Sequence, residues 1–322
     1  MDPLSDVLLL LKPRTYVAGG FELGGDWSIR FDAHTGIKCY ALVSGGCWLA
    51  MDAVAEPVRL ETGDCLLLPS GRPFRLAKDL DLEPVPFHAL LSAERRGGIA
   101  VLDGGGDTMI LGGHFAFRGA HADILLGAMP PVVHLRKDAD KAALRWALER
   151  MRHELLEVQP GGVLVAQHLA HMMLVQALRL YLADGPERSV GWLFALADPQ
   201  MAAAIGAVHA DPGARWTLQA MAERAGMSRS SFAQKFKATV GSSPMEYVTR
   251  WRMLLAGDRL VNGAQTVSVV ALSLGYESES AFSTAFKRVM GCSPRRYSRK
   301  QEVEVGEAHA TRPAATELAL GV

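Results

Sequence analysis

Two stretches of the chain carry the same arrangement of apolar and polar positions. They read "LQAMAERAGMSRSSFAQKFKATVGSSPMEY" over 218–247 and "SVVALSLGYESESAFSTAFKRVMGCSPRRY" over 268–297. In each, a short apolar segment (Leu218, Met221 and Ala222; Val269, Val270, Leu272 and Leu274) runs into Gly226 or Gly275, where a helix would stop in a left-handed residue. Ser228 or Ser278 then suits an N-cap. After it, Phe232 and Phe236, or Phe282 and Phe286, sit at i and i+4 on what must be the buried face of a second helix. At an offset of 50, Phe232, Phe236, Lys237, Gly241, Ser243, Pro244 and Tyr247 match Phe282, Phe286, Lys287, Gly291, Ser293, Pro294 and Tyr297. Upstream the offset is 49, pairing Ala222 with Ala271 and Gly226 with Gly275, so one extra residue lies in the second turn. A fixed period of this kind marks an internal repeat. Each copy is expected to fold as helix, turn, helix, with second helices near 228–239 and 278–289. The pattern alone allows either two packed helical hairpins or two helix-turn-helix units.

Other periodicities frame the repeat. "PMEYVTRWRMLLAGDRLVN" (244–262) suits one helix linking the copies, with Trp251 and Leu254 in its core. Its 19 residues span about 28 Å at 1.5 Å per residue, close to the roughly 34 Å of one DNA turn. Over 15–118 the period switches to two, giving the expected strands "WSIRF", "IKCYALVSG", "CWLAMD", "PVRLETGD", "CLLLPSG" and "PFRLAK" between Gly, Asp and Pro breaks. Many short strands of this kind predict a barrel or jelly roll. Helical segments follow at 138–157 and 161–184, broken by Pro160, Gly161 and Gly162. The second is apolar around much of its circumference and must be covered, by its own barrel or by a second subunit. His168 and His171, at i and i+3, offer half a metal site or partly buried packing residues.

Charge changes the picture only when the chain is divided. Overall, 34 basic and 34 acidic side chains cancel. Residues 199–300 hold 14 Lys and Arg against 6 Asp and Glu, a net of +8, which leaves −8 on the remainder. A basic region containing the repeat, fused to an acidic one, favours contact with phosphate and hence the helix-turn-helix reading. The length of 322 residues and 49% hydrophobic content allow two cores. No apolar run approaches 18 residues, and "MDPLSDVLLLLK" lacks the basic start of a secretory signal, so a cytoplasmic protein without membrane contact is expected. Cys39, Cys47, Cys65 and Cys292 fit reduced thiols and lack zinc-type spacing.

Residues 199–298 resemble the DNA-binding region of AraC-type (AraC/XylS) transcriptional regulators. The pattern is carried by Ala271, Gly275, Tyr276, Ser278, Phe282, Phe286, Lys287, Gly291, Ser293, Pro294 and Tyr297. The resemblance implies that Ser230, Ala233 and Gln234, then Ser280, Ser283 and Thr284, read bases. Gln can grip adenine at two points, whereas Ser and Thr are permissive. Ala233 stands where the family often has a long polar residue, so the first helix has fewer direct base contacts to offer. Arg229, Lys237, Lys287 and Arg288 suit phosphate.

"GDCLLLPSGRPF" (63–74) resembles the second cupin motif through Gly63, Pro69 and Gly71, with Phe74 in place of the metal-binding His. The first motif's ligand positions fall near Asp32, His34 and Lys38, of which only His34 keeps a ligand side chain. A cupin oxygenase needs most of a His-rich set with open positions, so the resemblance implies an effector-sensing barrel. Candidate pocket residues are His34, Tyr40, Trp48 and Phe74, and Leu169, Met172 and Met173 are the candidate dimer contacts.

The expected fold is multidomain α+β. A cupin-like barrel spans 1–135, a helical hairpin 136–183, a joint 184–198, a double helix-turn-helix 199–300 and a disordered tail 301–322. The expected protein is an effector-responsive transcriptional regulator with no cofactor, whose partners are double-stranded DNA, a second copy, a small-molecule effector and RNA polymerase. Effector binding is expected to reposition the DNA-binding units about the joint. Two alternatives remain: a thiol sensor using Cys39 or Cys47, and a metal-dependent cupin enzyme.

Overall fold

In the computed structural model, residues 2–11, 15–52, 54–116, 129–157, 159–183, 191–263 and 265–299 are described. The chain opens with helix α1 (Pro3–Leu11) and then builds strands. The strands are β1 (Thr15–Leu23), β2 (Ser28–Phe31), β3 (Ile37–Ser44), β4 (Gly46–Ala50), β5 (Val58–Glu61) and β6 (Cys65–Leu68). Next come β7 (Phe74–Ala77), β8 (Val85–Pro86), β9 (Glu94–Arg96), β10 (Ile99–Leu102), β11 (Thr108–Ala116) and β12 (Val133–Leu135). They form a seven-stranded sheet, β12-β6-β3-β11-β1-β10-β9, and a five-stranded sheet, β5-β4-β7-β2-β8.

Side-chain alternation fills the space between the sheets. On β3, Tyr40 and Leu42 join a core with Phe31, Leu49, Phe74 and Ile110, while Cys39 and Ala41 point the other way. That outer face is covered by helices α2 (Asp138–Leu156) and α3 (Gly162–Ala183), which pair as a hairpin, α3 lying along β1, β3, β6, β11 and β12. The approach is close: a Cβ on Gly113 would stand 3.1 Å from Ala170 Cβ of α3, tighter than an ordinary van der Waals contact. By length and composition α3 could cross a membrane. Here its inner face, including Ala166, Leu169, Ala170, Met173 and Ala177, is buried within the chain's own fold. Asp64 pins the hairpin to the barrel. Its carboxylate accepts from the Glu61 backbone N–H (3.0 Å) and His134 Nε2 (2.8 Å), and pairs with Lys141 Nζ at 3.0 Å.

The second unit is helical: α4 (Trp192–Ala195), α5 (Pro199–Ala210), α6 (Leu218–Arg224), α7 (Arg229–Val240), α8 (Pro244–Asn262), α9 (Val267–Ser273) and α10 (Glu279–Met290), with a last helical run over 294–299. The sequence reading groups residues 1–135, yet α1 clusters with this second unit rather than with the barrel. It lies against α5 and α8 and buries Leu4 and Val7. His209 Nδ1 donates to Asp6 Oδ2 at 3.3 Å, and His209 Nε2 accepts from the Tyr247 hydroxyl at 2.7 Å. The imidazole also stacks on Trp251 with centroids 3.7 Å apart. Burial lowers its pKa to about 3, so it is neutral in this network. Nothing in the local sequence of α1 says which unit it joins. Residues 184–190 of the expected joint and the 301–322 tail lie outside the described residues.

Candidate nucleic-acid interface

The repeat is reproduced atom by atom where its identities predict. Thr217 and Thr266 cap the first helices, and Ser228 and Ser278 cap the second, each oxygen accepting from a backbone N–H. Gly226 and Gly275 turn with φ of 64° and 76°, which only glycine adopts without strain. Phe232 and Phe236 meet at 5.4 Å and Phe282 and Phe286 at 5.6 Å, all fully buried. Phe236 then meets Tyr247 edge-on at 5.7 Å, as Phe286 meets Tyr297 at 5.5 Å. Helices α7 and α10 thus have one buried face fixed by aromatic packing and one face left over.

That free face holds the residues singled out for DNA. Arg229, Ser230, Gln234 and Lys237 on α7 are exposed, with Ala233 partly so. On α10, Ser280, Thr284, Lys287 and Arg288 are exposed and Ser283 partly so. Local bonds distinguish them. Thr284 Oγ1 donates to the Ser280 carbonyl at 3.0 Å, a back-bond that holds its hydroxyl on the helix. Lys235, six residues after Arg229, is tied down by Asp198 at 2.6 Å and Gln200 at 2.8 Å, whereas Lys237 stays on the exposed face. Glu279, the counterpart of Arg229 in the second copy, accepts from Ser268 Oγ and lies 3.8 Å from Arg295, so α7 and α10 begin with opposite charges.

The copies are also fastened to each other. Arg252, in the middle of α8, donates from Nε to the Pro212 carbonyl and from Nη2 to the Ala214 carbonyl, both at 2.7 Å. Its guanidinium lies 5.7 Å from the Tyr276 ring centre. The loop before α6 therefore touches the turn of the second copy, so closely that a Cβ on Gly275 would meet Gly213 O at 2.3 Å.

In the barrel, Tyr40 and Phe74 face the interior, and His34 lies beside Phe74 with ring centres 6.0 Å apart. Trp48 does not face inward. Strand β4 alternates with Cys47 and Leu49 buried, which turns Trp48 outward against the Arg59 guanidinium at 5.3 Å. The void bounded by Tyr40, Leu42, Leu60, Leu66, Leu76 and Ile110 amounts to about 10 Å³. The cupin metal positions do not fit a metal. Phe74 and Lys38 offer a ring and an ammonium, while His34 Nε2 and His114 Nε2 are turned onto the Leu68 and Thr35 carbonyls at 3.3 and 2.7 Å.

Of the two candidate sensing thiols, Cys47 lies in the barrel core, and Cys39 lies beside Cys65, Sγ to Sγ 3.9 Å, on the outer face of the seven-stranded sheet. Its hydrogen bond to Cys65 and its burial hold the Cys39 thiol well above the usual range, and burial pushes Cys47 to about 12. Neither supplies a thiolate, the reactive form. Leu169 and Met173 are buried inside the chain's own fold, because α3 turns them toward the barrel. Met172 is 43% exposed; Leu164 (59%), Val163 and, on α2, Trp146 (63%) are exposed too.

Comparison with known proteins agrees with both halves. Residues 2–183 match a cupin family model, and residues 221–300 match a helix-turn-helix domain. A Streptomyces lividans protein described as an AraC-like transcription regulator is 43% identical over 298 residues, covering 92% of this chain and 98% of that protein. The HTH-type transcriptional regulator AlkR of Acinetobacter baylyi is 27% identical, covering 85% and 91%. The solved structure of ToxT from Vibrio cholerae matches with 13% identity and a TM-score of 0.34, covering 88% of this chain and 96% of that one.

Proposed function

Because the chain belongs to the AraC-like transcription regulators, we propose that its paired helix-turn-helix units read one operator site while the barrel receives a small-molecule signal. The chain is a DNA-binding transcription regulator; the effector, the second copy and the contact with RNA polymerase are the finer reading. The observation that carries it is the matched pair of aromatic-cored units, each presenting an exposed second helix from a region of net charge +8. Arg229, Lys237, Lys287 and Arg288 take phosphates, and Gln234 reads a base. The barrel performs no catalysis in this reading, since Phe74 and Lys38 occupy the cupin's metal positions. A second copy docks on the outer face of the α2–α3 hairpin through Trp146, Leu164 and Met172, an apolar surface that nothing in the chain's described residues covers. The protein acts in the cytoplasm, where it meets DNA and RNA polymerase.

Footprinting the DNA upstream of the protein's own gene tests the reading. Two protected patches about one helical turn apart on one side of the duplex are expected per protomer. Binding without sequence preference, or one patch alone, would overturn it.

A further inference from the structure

The two copies of the repeat differ on one face of their first helices. In α6, Gln219 Nε2 donates to Glu223 Oε1 at 2.7 Å, a polar pair turned to solvent. At the offset of 49, α9 carries Ser268 and Leu272 in their places. Leu272 is 67% exposed, and its neighbour Val269 is 51% exposed. Ser268 also lines a groove of about 390 Å³, so Leu272, one turn further along α9, continues that surface. Leu260 of α8 and Val267 of α9 give the groove its apolar lining, and Arg295 and Arg299 of the last helical run give it a cationic one. Glu279, the acid of the lining, is already engaged by Ser268 Oγ and by Arg295 at 3.8 Å. Arg299 is exposed and meets no carboxylate among the described residues.

A groove lined in this way fits an extended segment in which apolar and acidic residues alternate, because successive side chains leave an extended chain on opposite sides. The chain carries such a segment where it leaves the groove. After Arg299 and Lys300 it reads "QEVEVGE" (301–307), with Val303 and Val305 alternating with Glu302 and Glu304. Over 301–322 the acids Glu302, Glu304, Glu307 and Glu317 stand against the single base Arg312. Glu302 follows Arg299 by three residues, a reach of about 10 Å at roughly 3.3–3.6 Å each. So short a tether gives an effective concentration on the order of millimolar, enough for a weak contact to be populated. We propose that residues 302–305 of this chain occupy the groove, with Val303 and Val305 on Leu260 and Val267 and with Glu302 and Glu304 on Arg295 and Arg299. Docking offsets the charge of both arginines, so the second unit meets its surroundings with two fewer free cations.

Hydrogen exchange on the full chain tests it. Amides of 302–305 should exchange roughly ten-fold more slowly than those of 314–322 in the same molecule, after correction for intrinsic rates. Glu302→Arg with Glu304→Arg leaves the groove itself unaltered and should abolish the difference; adding Arg299→Glu should restore part of it. Salt at about 1 M should shrink the difference too, because ion pairs at the surface are screened. The comparison of the two segments in the parent needs no variant to fold. Equal exchange of both segments in the parent would overturn the proposal, as would protection that the charge reversal leaves in place. Protection that fades on dilution would overturn it as well, since the segment would then come from a second copy.

Discussion

Replacing Asp64 with Asn should loosen the helical hairpin from the barrel without disturbing the DNA-binding unit. The wild-type carboxylate, nearly inaccessible to solvent, accepts from the Glu61 backbone, His134 and Lys141 at 2.8–3.0 Å. An amide keeps one acceptor oxygen and turns an NH₂ toward one of those donors. The Lys141 bond is lost and the other two lose their charge assistance. With about 1.5–3 kcal/mol for a hydrogen bond to a charged group, the expected loss is about 2–4 kcal/mol. The pH dependence has a definite sign. Burial alone would raise the Asp64 carboxyl, but its bonds to Glu61, His134 and Lys141 outweigh that and hold its pKa below the usual value. Its stabilisation is therefore complete above the unfolded value of about 3.9 and disappears as pH falls through the lower folded value. The gap between parent and variant should be full at pH 7 and should close in acid. Hydrogen exchange of peptides from β6, β12 and α2 reads the effect. Unchanged protection at pH 7, or a gap that widens in acid, would refute the reasoning.

Three further outcomes are expected. Gln234→Ala should weaken binding at one operator position, whereas Lys237→Ala should weaken all sequences alike and lower the salt slope by about one; filter binding over a salt series separates them. Leu164→Glu should give a folded monomer in sedimentation, while Leu169→Glu, which places a charge under α3, should unfold the barrel; a folded Leu169→Glu would mean that this face of α3 is not packed as described. Val7→Asp should lower the stability of the DNA-binding unit by about 2–4 kcal/mol while sparing the barrel. Trp251 fluorescence would report it, since α1 covers the His209 ring stacked on that indole, and an unchanged transition would place α1 elsewhere.

The helical half was legible because its repeat identities are the core and turn residues themselves. Helices α7, α8 and α10 begin and end within one residue of their expected bounds, since Ser caps and Gly stops mark both ends. Strands β2 to β7 followed from alternation. Strands β1 and β11 were harder to see, because the Gly pairs 19–20 and 112–113 dilute their β-branched character; Gly20, Gly112 and Gly113 make close backbone and helix contacts that the sequence does not announce. Trp48 was assigned to the wrong face by one residue of phase, although Cys47 and Leu49 already carried the alternation. The inward face of α3 could not be chosen from sequence, as apolar residues surround it. Lys38 looked like a missing metal ligand, and only the fold gathers the Phe31, Phe74 and Phe87 rings around its ammonium.

Arg252 has a consequence for the grammar of the operator. Because one guanidinium holds the loop before α6 against the turn of the second copy, α7 and α10 in the proposed reading meet DNA as a two-toothed comb. Each base pair inserted between their contact patches rotates the duplex by about 35°. A comb that cannot twist cannot follow. Sites for this protein should therefore tolerate base changes within either patch far better than a single insertion or deletion between them, and any flexibility in spacing must lie between protomers.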